Sequence, residues 1–107
     1  MRETWNRILE LLRKGEVRVS EHGYEELAAD GIAVREIMAG AFKAEVLEDY
    51  PSYPKGPSVL TIQEDKEGNP IHVVWGIPRG FPGPAVLVTA YRPDPKHWER
   101  DFRRRKE

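Results

Sequence analysis

The chain has 107 residues, no cysteine, and 17 basic against 18 acidic side chains, for a formal net charge of -1. That length suits one domain with a modest core that needs no metal or disulfide staple, and the missing thiols exclude a disulfide framework and a cysteine-ligated zinc site. No apolar run approaches the length of a bilayer span, and Met1 to Glu10 lacks a basic segment followed by a long apolar run. The expectation is therefore a soluble, cytoplasmic protein with no signal peptide and no membrane partner.

Charge is unevenly placed. Between Lys96 and Glu107 six basic residues stand against three acidic ones, so a basic end follows an acidic body. Such an end can hold a nucleic-acid backbone, pair with an acidic partner, or keep a helix soluble. Asn and Gln are scarce while charged residues and loop prolines are plentiful, a composition that leans toward a thermophilic source.

In chain order, Trp5, Ile8, Leu9 and Leu12 recur at helical spacing and predict a helix from about Glu3 to Lys14, ended by Gly15. Glu16 to Val19 allows a short extended piece. Ser20 can cap a second helix running to about Ala29, whose buried side would be Tyr24, Leu27 and Ala28, with Asp30-Gly31 breaking it. Val34, Ile37 and Met38 give a third short helix closed by Gly40.

From Ala44 the period changes to two, which predicts a first strand ending in the turn-rich stretch from Pro51 to Pro57. Ser58 to Glu64 is a second strand, and Asp65 to Asn69 a hairpin turn in which Gly68 can take a positive φ. Two apolar runs follow, Ile71 to Ile77 and Ala85 to Tyr91, joined by the Gly/Pro loop Pro78 to Pro84. Both are short, rich in β-branched and aromatic residues, and read as an antiparallel pair at the centre of the fold. Asp94-Pro95 resembles a helix cap with proline at the first helical position, and Trp98 and Phe102, four apart, would dock a last helix on the sheet. The expected fold class is α+β: N-terminal helices followed by a four-stranded antiparallel sheet and a C-terminal helix, with residues 1–107 a single domain.

Ser20-Glu21-His22-Gly23-Tyr24-Glu25-Glu26 before Asp30-Gly31-Ile32, then Pro70-Ile71-His72-Val73-Val74, then Thr89-Ala90-Tyr91-Arg92-Pro93 and Trp98, together resemble the small prokaryotic family DUF4258, over about Ile8 to Trp98. That family is similar in layout to small toxin ribonucleases of the RelE and barnase type, in which helices precede an antiparallel sheet. The resemblance implies a toxin-like RNA-cleaving activity, with RNA and an antitoxin-like protein as partners. Where the family pattern leads one to expect an arginine four residues after the first histidine, this chain has Glu26, which argues against phosphate binding by that helix.

The chemistry of the same residues leaves alternatives open. His22, early in a helix with Glu25 and Glu26 at i+3 and i+4, is either a proton-transfer group or a surface histidine paired locally. His72 alternates with Ile71 and Val73, and is either a hydrogen-bonded sheet histidine or a proton-transfer group on an open face. Metal-independent cleavage of RNA needs a base for the ribose 2′-hydroxyl, an acid for the leaving oxygen and a cation for the phosphorane. Arg92 suits the cation and Tyr91 can stack on a base or donate a proton, although Tyr-Arg-Pro also simply ends a strand. Arg79 and Phe81 on the loop, with Arg103 and Arg104 in the basic end, are further candidate RNA contacts. No cofactor or metal is expected: the three histidines lack close ligand spacing and no Gly-rich phosphate loop opens a helix. The expected function is a small metal-independent ribonuclease using His22, His72, Tyr91 and Arg92. The alternative is a non-catalytic module that binds protein or nucleic acid.

Overall fold

The computed structural model of the chain describes residues 3–106. Met1, Arg2 and Glu107 lie outside the described residues, so the N-terminal reading is followed from Glu3 and the basic end as far as Lys106. In order come α1 (Glu3–Arg13), β1 (Val17–Val19), α2 (Glu21–Ala29), α3 (Val34–Gly40), a 3-10 turn (Ala41–Lys43), β2 (Glu45–Tyr50), β3 (Ser58–Glu64), β4 (Pro70–Gly76) and β5 (Ala85–Tyr91). The strands form one sheet in the order β1-β5-β4-β3-β2. β1 runs parallel to β5, and the other neighbours are antiparallel.

Two expectations fail. The sheet is five-stranded and mixed rather than four-stranded and antiparallel, because the short piece after α1 pairs with β5, Val17 opposite Ala85 and Val19 opposite Leu87. Nor is there a C-terminal helix among the described residues: from Arg92 to Lys106 the chain forms turns, bends and an isolated bridge between Trp98 and Arg105. Asp94 does act as a local cap, its Oδ1 accepting the Lys96 N–H at 2.8 Å, but the turn it starts is not continued. Two apolar side chains nucleate a short helix poorly. In the bent segment that forms instead, Arg103 and Arg105 both find carboxylates.

The core lies on one face of the sheet. Val59, Ile71, Val73, Trp75, Leu87 and Ala90 are buried against Trp5, Ile8, Leu11 and Leu12 of α1, Leu27 of α2 and Ile37 of α3. Each such aliphatic contributes about 1.5–3 kcal/mol by leaving water. The helical spacing read in α1 thus names its buried face correctly, apart from Leu9, which is only half-buried. α2 differs: Tyr24 and Ala28 are exposed, and Gly23 and Leu27 are the buried pair. Ser20 explains the tilt. Its Oγ accepts the Gly23 N–H at 2.9 Å and donates to the Val88 carbonyl at 2.8 Å, which pins the start of α2 to β5. At Gly23 a Cβ would stand 2.8 Å from the Leu87 carbonyl oxygen, so only glycine permits this approach. Among the described residues no helix is long and apolar enough to cross a membrane.

Candidate functional site

Alternation along β4 sends Ile71, Val73 and Trp75 into the core and His72 to the opposite, outer face, beside its register partners Ile62 and Tyr91. Among the described residues no helix covers that face. Residues 94–106 do, as a strap crossing from the end of β5 to β2. Beneath it His72 has 0% exposure. Its Nε2 lies 2.7 Å from the Phe102 carbonyl oxygen. A carbonyl only accepts, so Nε2 carries the proton, and Nδ1 is left as the acceptor for the Tyr91 hydroxyl at 3.4 Å. Trp98, 4% exposed, meets the imidazole edge-on with ring centres 4.3 Å apart. Burial pushes the His72 pKa down, aided by Arg105, while the Phe102 carbonyl and Glu48 act against it.

The strap is fastened to the edge strand by two ion pairs. Arg103 meets Glu45 through two hydrogen bonds of 3.2 and 3.0 Å, and Arg105 meets Glu48 through two of 2.9 and 3.2 Å. Three residues apart, Glu45 and Glu48 would point to opposite faces of a regular strand. A bulge between Val46 and Glu48 sets Glu45 opposite Ile62 and Glu48 opposite Leu60, which puts both on the outer face. The spacing then matches that of Arg103 and Arg105. Arg105 also lies over the Trp98 ring, 4.7 Å from its centre. Its hydrogen bond holds the Glu48 carboxyl below the usual range, partial burial opposing, and the Tyr50 hydroxyl adds a further bond at 2.6 Å. The Tyr91 phenol is raised, first by burial.

The outer face thus gathers Glu48, His72, Tyr91 and Arg105, of which the sequence singled out His72 and Tyr91 and counted Arg105 only as part of the basic end. Glu48, and the place of Arg105 beside it, become visible only once the bulge and the strap are known. Within the strap, the Glu99 N–H donates to the Arg104 carbonyl at 2.7 Å and the Lys106 N–H to His97 at 3.0 Å, folding the segment back on itself. Phe102 sits at that reversal with φ 60, in the left-handed region.

The other candidates lie elsewhere. His22 is exposed on α2 with its Nε2 3.6 Å from Glu26, the local pairing read as the alternative. It and His72 share no hydrogen-bond partner, and neither lines a described cavity. Arg92 is held off the face: its Nη2 pairs at 3.0 Å with Asp65, whose side chain is 2% exposed, and its backbone N–H donates to Asp30 at 2.9 Å. Asp65 is meanwhile the hub of the β3–β4 turn, accepting the Glu67 and Asn69 N–H groups at 2.9 Å each, and these bonds and Arg92 keep its carboxyl below the ordinary range. Arg79 braces the loop beyond β4 against Pro54, its Nη1 3.4 Å from that carbonyl, and Phe81 beside it is exposed. Arg104 is exposed and gives its carbonyl to the strap's own pairing. The wide groove between α3 and the β3–β4 turn is lined by opposed charges, among them Arg35, Glu36, Lys43, Glu64 and Arg103. Among the described residues no three His, Asp or Glu side chains gather as a metal site.

Helices packed on one face of a mixed sheet, with a histidine-centred polar cluster on the other, define an α+β domain with its candidate site on the outer sheet face. The chain belongs to the family described as domain of unknown function DUF4258, whose model matches residues 19–92, more than half of its length. No curated protein and no solved structure matches it. The strap lies outside the matched range, whereas His22, His72, Tyr91, Arg92 and Glu48 fall inside it.

Proposed function

We propose that this chain is a non-catalytic binding module whose outer sheet face receives a peptide segment. One observation carries the reading: His72 has 0% exposure with both ring nitrogens engaged, Nε2 by the Phe102 carbonyl and Nδ1 by Tyr91. A group so enclosed acts as a clasp, because proton transfer requires reach to a substrate atom. The basic end supports it too, since Arg103 and Arg105 are matched to carboxylates of the chain itself.

A second reading is favoured by the company His72 keeps. With the strap lifted, Glu48, His72 and Tyr91 would form a metal-independent ribonuclease site. The Glu48 carboxylate would take the 2′-hydroxyl proton as that oxygen attacks phosphorus. His72, protonated once water returns, would give its proton to the departing 5′-oxygen, leaving a 2′,3′-cyclic phosphate. His22 and Arg92 have no part in this scheme.

Incubation of the wild type and His72→Ala with mixed RNA in chelator separates the two. The binding module predicts no cleavage above blank by either protein. Chelator-resistant cleavage by the wild type that His72→Ala abolishes would replace it with the ribonuclease.

A further inference from the structure

The strap reads as a ligand that happens to be attached. Its grip consists of the Trp98 ring on His72, the Phe102 carbonyl on His72 Nε2, Arg103 on Glu45 and Arg105 on Glu48. All four are contacts of a short segment with the face, and none depends on the covalent link to β5. We propose that the outer face is a recognition surface for a basic peptide segment of a partner protein that folds back as residues 94–106 do, with a tryptophan five residues before the first of two alternate arginines, and that residues 94–106 hold this surface in its absence. The proposal rests on the binding-module reading and names the partner's chemistry.

Charge complementarity selects this occupant. Glu45–Tyr50 carries Glu45, Glu48 and Asp49 with no basic residue, and the bulge aims Glu45 and Glu48 at the same side, where they meet arginines two apart, Arg103 and Arg105. The face supplies the rest: a ring that an indole meets edge-on and a single N–H donor at its centre. The attached occupant fits imperfectly. It places Phe102 at φ 60, a conformation that costs a residue with a side chain, and its ion pairs are largely exposed to solvent and to salt. A free segment of the same pattern with glycine at the reversal escapes that strain. Exchange would bare His72 transiently or replace its cover.

The test uses the full chain with His22→Gln and His97→Gln, so that histidine modification by diethyl pyrocarbonate reports on His72 alone. Arg103→Glu sets a carboxylate opposite Glu45 and should loosen the strap without touching the core. Adding Glu45→Arg should close it again, and Trp98→Ala is a second, independent way to open it. The probe is a fluorescent peptide of residues 93–107. The loosened chains should modify faster at His72 and bind the peptide about tenfold more tightly than the wild type, with binding lost when the peptide carries Trp98→Ala or both Arg103→Gln and Arg105→Gln. Faster modification without peptide binding would overturn the proposal. So would unchanged modification in both loosened chains, which would make the strap a fixed part of the domain. Concentration-dependent dimers that exchange straps would assign the surface to a second copy and overturn it equally. RNA cleavage by the loosened chains would defeat the binding-module reading, and the peptide titration would still be read on its own.

Discussion

His72 donates its Nε2 proton to the Phe102 carbonyl across 2.7 Å, joining the middle of the sheet to a residue 30 positions later in the chain. Nothing local to either residue arranges this bond. It exists because β4 turns His72 away from the core and because the strap reverses at Phe102.

His72→Leu keeps most of the volume and removes the donor. It should leave the Phe102 carbonyl without its partner, at a cost of about 1–3 kcal/mol. In a domain of this size that is a fall in Tm of roughly 5–20 °C. Thermal melts of the two proteins measure it, and an unchanged Tm would mean that water replaces His72 without loss.

The pH dependence follows from the burial of His72, which the bond to Phe102 opposes. The pKa of His72 is lowered by burial from an ordinary value of 6.5, so the unfolded chain binds a proton more readily than the folded one. Stability from this group is complete above the unfolded value and is lost as pH falls through the folded one. Glu48 and Asp65, whose pKa values are lowered from 4.5 and 3.8, contribute losses in a more acidic window. Urea midpoints measured from about pH 7.5 down to about pH 5 should therefore decline in the wild type, and markedly less in His72→Leu. Parallel curves would assign the decline to other groups.

Trp98 and Arg105 should behave as one unit. The guanidinium lies 4.7 Å from the ring centre and is hydrogen-bonded to Glu48, so either truncation loosens the contact that the other needs. Removal of a large buried aromatic costs about 3–5 kcal/mol in a core. Here the loss is capped by the strap's own docking free energy, because a released strap has no further contacts to lose. A double-mutant cycle of Trp98→Ala and Arg105→Ala, read by denaturant midpoints, should fall short of additivity by about 0.5–3 kcal/mol. Strict additivity would show that the two side chains act separately.

Gly23→Ala tests the docking of α2. In a solvated helix the change stabilises by about 1 kcal/mol. Here the new methyl would stand 2.8 Å from the Leu87 carbonyl oxygen and 3.2 Å from that of Val88, both in the backbone of β5. The sign should therefore reverse, and the denaturant midpoint should drop. A stabilised variant would show that α2 can move off the strand freely.

The sequence by itself determined the elements whose signal is local. The spacing of Trp5, Ile8 and Leu12 marks the buried face of α1, the apolar run from Ala85 to Tyr91 is β5, and Gly68 marks the β3–β4 turn. It also singled out His72 and Tyr91 on the two central strands, but their place as register partners comes from the structure. Only the tertiary structure decided what lies over them. Val17–Val19 has no local pattern strong enough to assign it to the sheet, and its place comes from β5, far along the chain. Trp98 and Phe102 satisfy a helical spacing, yet Glu45 and Glu48 hold Arg103 and Arg105 in a segment of turns and bends through ion pairs across 58 and 57 residues. Local periodicity reports on which face of an element is buried. It does not report on bonds formed between distant segments, and those bonds made His72 an enclosed clasp.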